Sequence, residues 1–271
     1  MYRAEGLTRG FPGGIRAVDG LDLKIGAGER VAFIGPSGAG KTTLFRLLNC
    51  TLRPTAGRLW VAGQEVAGLY GAALRAARRR IGTIYQQHNL VPRLPVVHNV
   101  LAGRLGSWST SRALVSLLRP VEVEAAYRAL QQVGIPEKLY ARTDELSGGQ
   151  QQRVAIARVL LQNPDIILAD EPVSSVDPTL AVSIVRLLTE ISTATGRTLV
   201  VNLHSVDLAL ATFPRIVGLR EGKVLFDAPP DAIRDEALAA LYRAAPTGDS
   251  AEGTSDAPLD PASTCRPLPR V

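Results

Sequence analysis

Residues 35 to 43 read Gly-Pro-Ser-Gly-Ala-Gly-Lys-Thr-Thr, and no other stretch constrains the chain so tightly. Gly35, Gly40, Lys41 and Thr42 fit the pattern G-x-x-x-x-G-K-[ST]. Before it, Val31-Ala32-Phe33-Ile34 reads as a buried strand; after it, Leu44, Leu47 and Leu48 form a helical stripe. Strand, glycine-rich turn and helix in that order make a cradle for phosphate. Glycines let successive N–H groups turn inward, and the new helix points its positive N-terminus at the same anion. Gly35, Pro36, Ser37, Gly38, Ala39, Gly40, Lys41, Thr42 and Thr43 are therefore the candidate nucleotide ligands. Lys41 is expected to reach the β- and γ-phosphates, and the Thr42 hydroxyl to ligate Mg²⁺. The competing reading is a strand–helix turn that binds nothing.

The remaining pattern is α/β. Val18, Leu21, Leu23 and Ile25 nearly alternate, so residues 2–25 read as short strands, followed by a turn at 26–29. Leu59-Trp60-Val61 is a further strand with Trp60 as a packing residue. A helix over 71–80 and a strand over 81–85 lead into the polar loop Gln86-Gln87-His88-Asn89. From 90 to about 145 the texture becomes helical, with Val96, Val97, Val100 and Leu101 and then Val123, Ala126, Tyr127 and Leu130 at helical spacing. Helix (149–162), strand (166–169), helix (178–195) and strand (198–203) then resume, and a hairpin around Glu221-Gly222 follows. Strands alternating with helices imply a parallel sheet covered on both faces. From about Ala245 the composition shifts to Pro, Gly, Ser, Thr and Asp, and 245–271 reads as a disordered tail.

Two further stretches carry chemistry. The strand at 166–169 ends in Asp170-Glu171. Behind a phosphate loop such a pair divides two jobs: Asp170 faces the Mg²⁺ opposite Thr42, and Glu171 orients or deprotonates the attacking water. Leu146-Ser147-Gly148-Gly149-Gln150 offers a hydroxyl and two glycines at the start of a helix. It reads either as a second anion site or as a Ser N-cap with glycines in the preceding turn.

Gly35–Thr43, Gln86, Leu146–Gln150, Asp170-Glu171, Asp177 and His204 together resemble the ATP-binding cassette (ABC) ATPase of membrane transporters, in order and in spacing, over about residues 2 to 243. The resemblance implies a RecA-like P-loop NTPase core with an N-terminal antiparallel β region and a helical insertion subdomain. It implies one ABC ATPase domain over 1–244, its core at 1–89 and 150–244 and its helical subdomain at about 90–149. It implies ATP and Mg²⁺ as cofactors, with Gln86 touching Mg²⁺ or the lytic water, Glu171 as catalytic base and His204 as the switch residue at the γ-phosphate. It also places Phe11 on adenine and Asp177 in communication across a dimer. Within the family the chain is similar to the ATPase of phosphonate importers, through Tyr85–Val91, Asn99-Val100-Leu101, Gly103–Gly106, Ile166–Pro172 and Leu203–Asp207. It departs from that pattern at His88, at Ser175-Val176 and at Ser205, none of them catalytic groups.

The partners so implied are a second copy of the chain, an integral-membrane permease contacted by the loops around 86–105, and indirectly a solute-binding protein. Phosphate, a polar amino acid or another small solute remain alternative cargoes. A soluble ABC ATPase acting on ribosomes or DNA is disfavoured by the single cassette and short insertion, so nucleic acid is not expected as a partner. A regulator without turnover is disfavoured because Glu171 and His204 are both present. The net charge of +6 suits anionic ligands or a membrane-adjacent position. The densest basic cluster, Arg75 with Arg78-Arg79-Arg80, reads as a solvated helix end. Cys50 and Cys265 are the only cysteines, too few for a disulfide framework or a zinc site. With no signal peptide and no apolar run approaching about 20 residues, the expected location is peripheral, on the cytoplasmic face of the inner membrane.

Overall fold

The near-alternation at the start of the chain folds into one long antiparallel pair, β1 (Tyr2–Gly10) and β2 (Arg16–Ile25), rather than several short strands. The computed structural model describes residues 1–173 and 177–243; the tail at 245–271, Cys265 and Ser174-Ser175-Val176 lie outside them. β3 (Arg30–Ile34) enters the phosphate loop and α1 (Lys41–Leu48) leaves it. β4 (Ala56–Val61) and the two-residue β5 (Gln64–Glu65) complete a first sheet of order β2-β1-β4-β5. Its buried Tyr2, Leu7, Leu21 and Ile25 share a core with Leu44, Leu47 and Leu48 of α1. Phe33 of β3 meets Phe45 of α1 edge to face, ring centres 5.8 Å apart. With apolar packing on both flanks, α1 has little freedom to tilt, and its N-terminus is aimed. Trp60 is half-buried, with the guanidinium groups of Arg3 and Arg58 over its ring at 4.8 and 5.0 Å.

α2 (Gly71–Arg79) leads into β6 (Ile81–Ile84), which stops one residue short of Tyr85. The basic cluster at this point is exposed, and its side chains tie neighbouring segments together. Arg78 donates to the Cys50 carbonyl at 2.7 Å, Arg79 to that of Gly106 at 3.3 Å, and Arg80 to Asp165 at 2.5 Å. α3 (Val96–Leu101), α4 (Thr110–Leu118) and α5 (Val123–Gln132) follow, then α6 (Gly148–Gln162). Val97, Val100, Ala126 and Leu130 are buried in one core with Val154, Ala157 and Leu161 of α6. The sequence reading did not single out α4, in which Leu114, Val115, Leu117 and Leu118 are exposed while Ser116 is buried. Its apolar residues do not form an inward stripe.

β7 (Ile166–Asp170), α7 (Pro178–Thr195), β8 (Thr198–Asn202), α8 (Val206–Thr212), β9 (Arg215–Arg220), β10 (Lys223–Ala228) and α9 (Asp235–Tyr242) complete the described chain. The main sheet has the order β10-β9-β3-β8-β7-β6, and only β10 pairs antiparallel. Its inner strands are buried on both faces, which is why they read as unbroken apolar runs. The strand order matters most for function. β3, β8, β7 and β6 are parallel and adjacent, so the segments after their carboxyl ends gather at one edge. Those segments are the phosphate loop, His204, Glu171 and Gln86.

Candidate active site

Two glycines in the phosphate loop are required by close approach. Gly35 (φ 152°) and Gly40 (φ 96°) lie in the region that disfavours side chains, and a Cβ on either would strike a carbonyl oxygen, of Leu219 or Ala17 respectively. The loop is thereby wedged between β9 and the start of β2, and α1 begins at Lys41. The Lys41 ammonium is 6% exposed as a residue and donates to the carbonyls of Gly35 at 2.6 Å and Pro36 at 2.9 Å. Burial pushes its pKa down, opposed by the nearby carboxylates of Glu171 and Asp170. The phenol of Tyr242 at the end of α9 also reaches this loop. Burial raises its pKa, and the Gly35 N–H bonded to it acts in the opposite sense.

Across the sheet, β7 presents Asp170 and Glu171. Burial raises the Asp170 pKa, and the Asn202 amide, donating at 2.8 Å, counters that shift. Glu171 is a non-glycine residue at φ 51°, a conformation that stores on the order of 1–3 kcal/mol. Its N–H donates to the Asn202 carbonyl at 3.2 Å, and His204 Nε2 lies 2.7 Å from its Oε1. Glu171 and His204 thus face each other directly, a pairing the sequence did not foretell. Both line a cavity of about 960 Å³ between α7 and α8.

Gln86 stands apart, in a separate cleft of about 350 Å³ with His88, Thr143 and Gln151. This loop is pinned from two sides that sequence reasoning missed. Arg158 of α6 donates to the carbonyls of Asn89 at 2.6 Å and His88 at 2.8 Å. The buried Asn99 of α3 accepts from Val91 N–H at 2.8 Å and donates to the Val91 carbonyl and to Thr143.

Ser147 is the N-cap of α6, which starts at Gly148, one residue before the expected 149. A capping box joins the Ser147 side chain to Gln150 N–H and the Gln150 side chain to Ser147 N–H. A Cβ on Gly149 would strike Leu180 of α7, whose N–H is in turn capped by Asp177 at 2.9 Å. Around Gly148 the space is open. The starts of α6 and α7 therefore pack together, and among the described residues no hydrogen bond joins Ser147–Gln150 to the phosphate loop. The loop, Asp170, Glu171 and His204 are gathered at one sheet edge; Ser147–Gln150 and Asp177 sit at the starts of α6 and α7, and Gln86 lines its own cleft.

The pattern that defines the ABC transporter family matches residues 18–174. The chain belongs to that family. Among relatives of this ABC protein are two proteins named phosphonates import ATP-binding protein. One, from Pseudomonas putida, is 49% identical over 85% of this chain and 86% of its own length. Another, from Pseudomonas aeruginosa, is 50% identical over 88% and 92%. Among solved structures, a dimeric ATP-binding cassette in a post-hydrolysis state bound to ADP and Pi is similar at a TM-score of 0.72 and 31% identity, over 86% of this chain and all of that one. Another, from Clostridium perfringens and part of an ABC transporter complex, gives 0.75 at 26% identity over 88% and 92%. The ABC architecture expected from the motifs is therefore the observed one, and the chain is a nucleotide-binding ATPase.

Phe11 lies in the turn between β1 and β2, closed by its N–H donating to Ile15 at 2.8 Å. It is 39% exposed, with the Arg9 guanidinium 4.9 Å from its ring centre, so it is not a core ring. A few residues on, Ala17 abuts Gly40. Phe11→Ala is expected to weaken ATP binding by about 1–3 kcal/mol, as removal of a base-stacking ring does, with little change in melting temperature. Calorimetric titration and thermal melting together decide this. Unaltered affinity would exclude Phe11 from the adenine site.

Proposed function

We propose that this chain is the ATP-hydrolysing subunit of an importer for phosphonates, working as a dimer on a separate membrane permease. Identity near 50% to phosphonate import subunits, over most of both chains, is the observation that supports the cargo. Convergence of Lys41, Asp170, Glu171 and His204 at one sheet edge supports turnover. We read residues 1–244 as one ABC ATPase domain, with residues about 90–149 as its helical subdomain. Among the described residues no helix is long and apolar enough to cross a membrane, so the reading assigns the spanning to the permease. The chain would then sit peripherally on the cytoplasmic face of the inner membrane, and the loops around 86–105 would face the permease.

In this reading the loop N–H groups of residues 35–43 and Lys41 bind the phosphates, and Phe11 covers the adenine. Thr42 and Asp170 would hold Mg²⁺, and Gln86 would touch the ion or the lytic water. One half-buried carboxylate and one hydroxyl form an all-oxygen set that fits this ion, which takes its other ligands from phosphate and water. When bound, it would neutralise charge on the transferred phosphoryl group. Glu171 takes the proton of the attacking water, and His204, holding the Glu171 carboxylate at 2.7 Å, steadies the base and contacts the γ-phosphate. Ser147, Gly148, Gly149 and Gln150, with Asp177 beside them, complete the partner's site.

The cargo is tested on the assembled transporter. ATPase activity is expected to rise when a solute-binding protein loaded with an alkylphosphonate is added. Stimulation by a polar amino acid or by phosphate instead would leave the ATPase standing and remove the phosphonate assignment.

A further inference from the structure

Asn202 closes β8 directly opposite Asp170 in the parallel ladder. Every other residue of the run Thr198–Leu203 is buried too, and three of the preceding four are aliphatic. An amide here has to justify its burial, since a polar group without full pairing destabilises a core. The Asn202 Nδ2 donates to Asp170 Oδ1 at 2.8 Å, and the Asn202 main-chain carbonyl accepts the Glu171 N–H at 3.2 Å. Its Oδ1 is buried without a partner among the described residues, and the side chain borders the same cavity as Glu171 and His204. One residue thus grips the side chain of Asp170 and the backbone of its neighbour, where φ is 51°.

We propose that Asn202 is a positioning residue of the hydrolytic site: its side-chain amide holds the Asp170 carboxylate in the orientation that receives the divalent cation, while its main-chain carbonyl fixes the Glu171 backbone beside it. This rests on the roles given above to Asp170 and Glu171. A carboxylate left free to rotate would divide its time among orientations, and only one of them serves the ion. A purely structural amide, filling the strand end, would affect stability without touching the cation.

The test uses the full chain with ATP and Mn²⁺ as the probe, the bound ion being read by electron paramagnetic resonance. Asn202→Leu and Asn202→Ala both delete the donor while changing volume in different degrees. Each should weaken Mn²⁺ binding about tenfold, the scale of a hydrogen bond to a charged group. ATP affinity in EDTA should stay as in the parent chain. Circular dichroism checks folding, and if the Leu variant does not fold the Ala variant decides. Asp170→Asn is measured alongside. If it weakens Mn²⁺ binding and folded Asn202 variants do not, the positioning role is overturned and the site assignment stands. If Asp170→Asn has no effect, both fall. Equal losses of Mn²⁺ and of ATP in EDTA would mean general damage to the loop, and would also overturn the proposal.

Discussion

Glu171→Gln is expected to lower ATP turnover by about 10²-fold or more while ATP binding survives. The replacement is nearly isosteric. Its amide oxygen can still accept from His204, which lies 2.7 Å from the carboxylate, and its backbone can keep the bond to Asn202. What it lacks is a basic oxygen to take a proton from water. Binding and hydrolysis should therefore separate, and dimers formed with ATP should persist long enough to appear in size-exclusion chromatography. The structure adds a control. Glu171 stands at φ 51°, so a variant that merely relaxed the backbone would also disturb Asp170 and its Asn202 partner. Unchanged ATP affinity with lost turnover isolates the proton transfer. Turnover close to that of the parent chain would remove Glu171 from the role of base.

The residues legible in the sequence were those whose chemistry is local. A phosphate loop works through consecutive backbone groups, so Gly35–Thr43 declares itself within nine positions. Buried parallel strands read as apolar runs, and Asp170-Glu171 stands out as the charged end of one. Asn202 carries no such signal. Its partner lies 32 residues away and is reached only because β7 and β8 are neighbours in the sheet. The contacts of Arg158, and of Asn99, which entered only as part of the resemblance, were unread for the same reason: their hydrogen bonds run to the backbone of the loop at 88–91, which only the packing of α3 and α6 brings within reach. α4 keeps the i, i+3, i+4 spacing of an amphipathic helix in Leu114, Leu117 and Leu118 but turns that stripe outward and Ser116 inward, an orientation that spacing alone does not reveal. The Ser147 stretch was legible in composition but ambiguous in purpose, and the capping box now accounts for its local geometry without requiring a ligand.

In the proposed dimer the two candidate phosphate ligands serve one ATP from different chains. Lys41 and Ser147 each occur once, and within the chain Ser147 bonds to Gln150 while Lys41 bonds to its own loop. In a head-to-tail dimer, Lys41 of one chain and Ser147 of the other would meet on one ATP. The open space around Gly148 gives a phosphate room to approach the start of α6, where free N–H groups and the helix dipole favour an anion. Consider a heterodimer with Lys41→Ala in one chain and Ser147→Arg in the other. Both lesions then fall in one composite site, and the second site keeps both native groups. Put both changes in one chain, paired with a native chain, and each site carries a lesion. ATP-driven dimerisation of the first species should exceed that of the second, because one complete sandwich survives. Sedimentation or cross-linking is the better readout, since turnover can fail in both if the two sites must act together. Equal dimerisation, or the reverse order, would show that Ser147 does not complete its partner's site and would return it to the role of a helix cap.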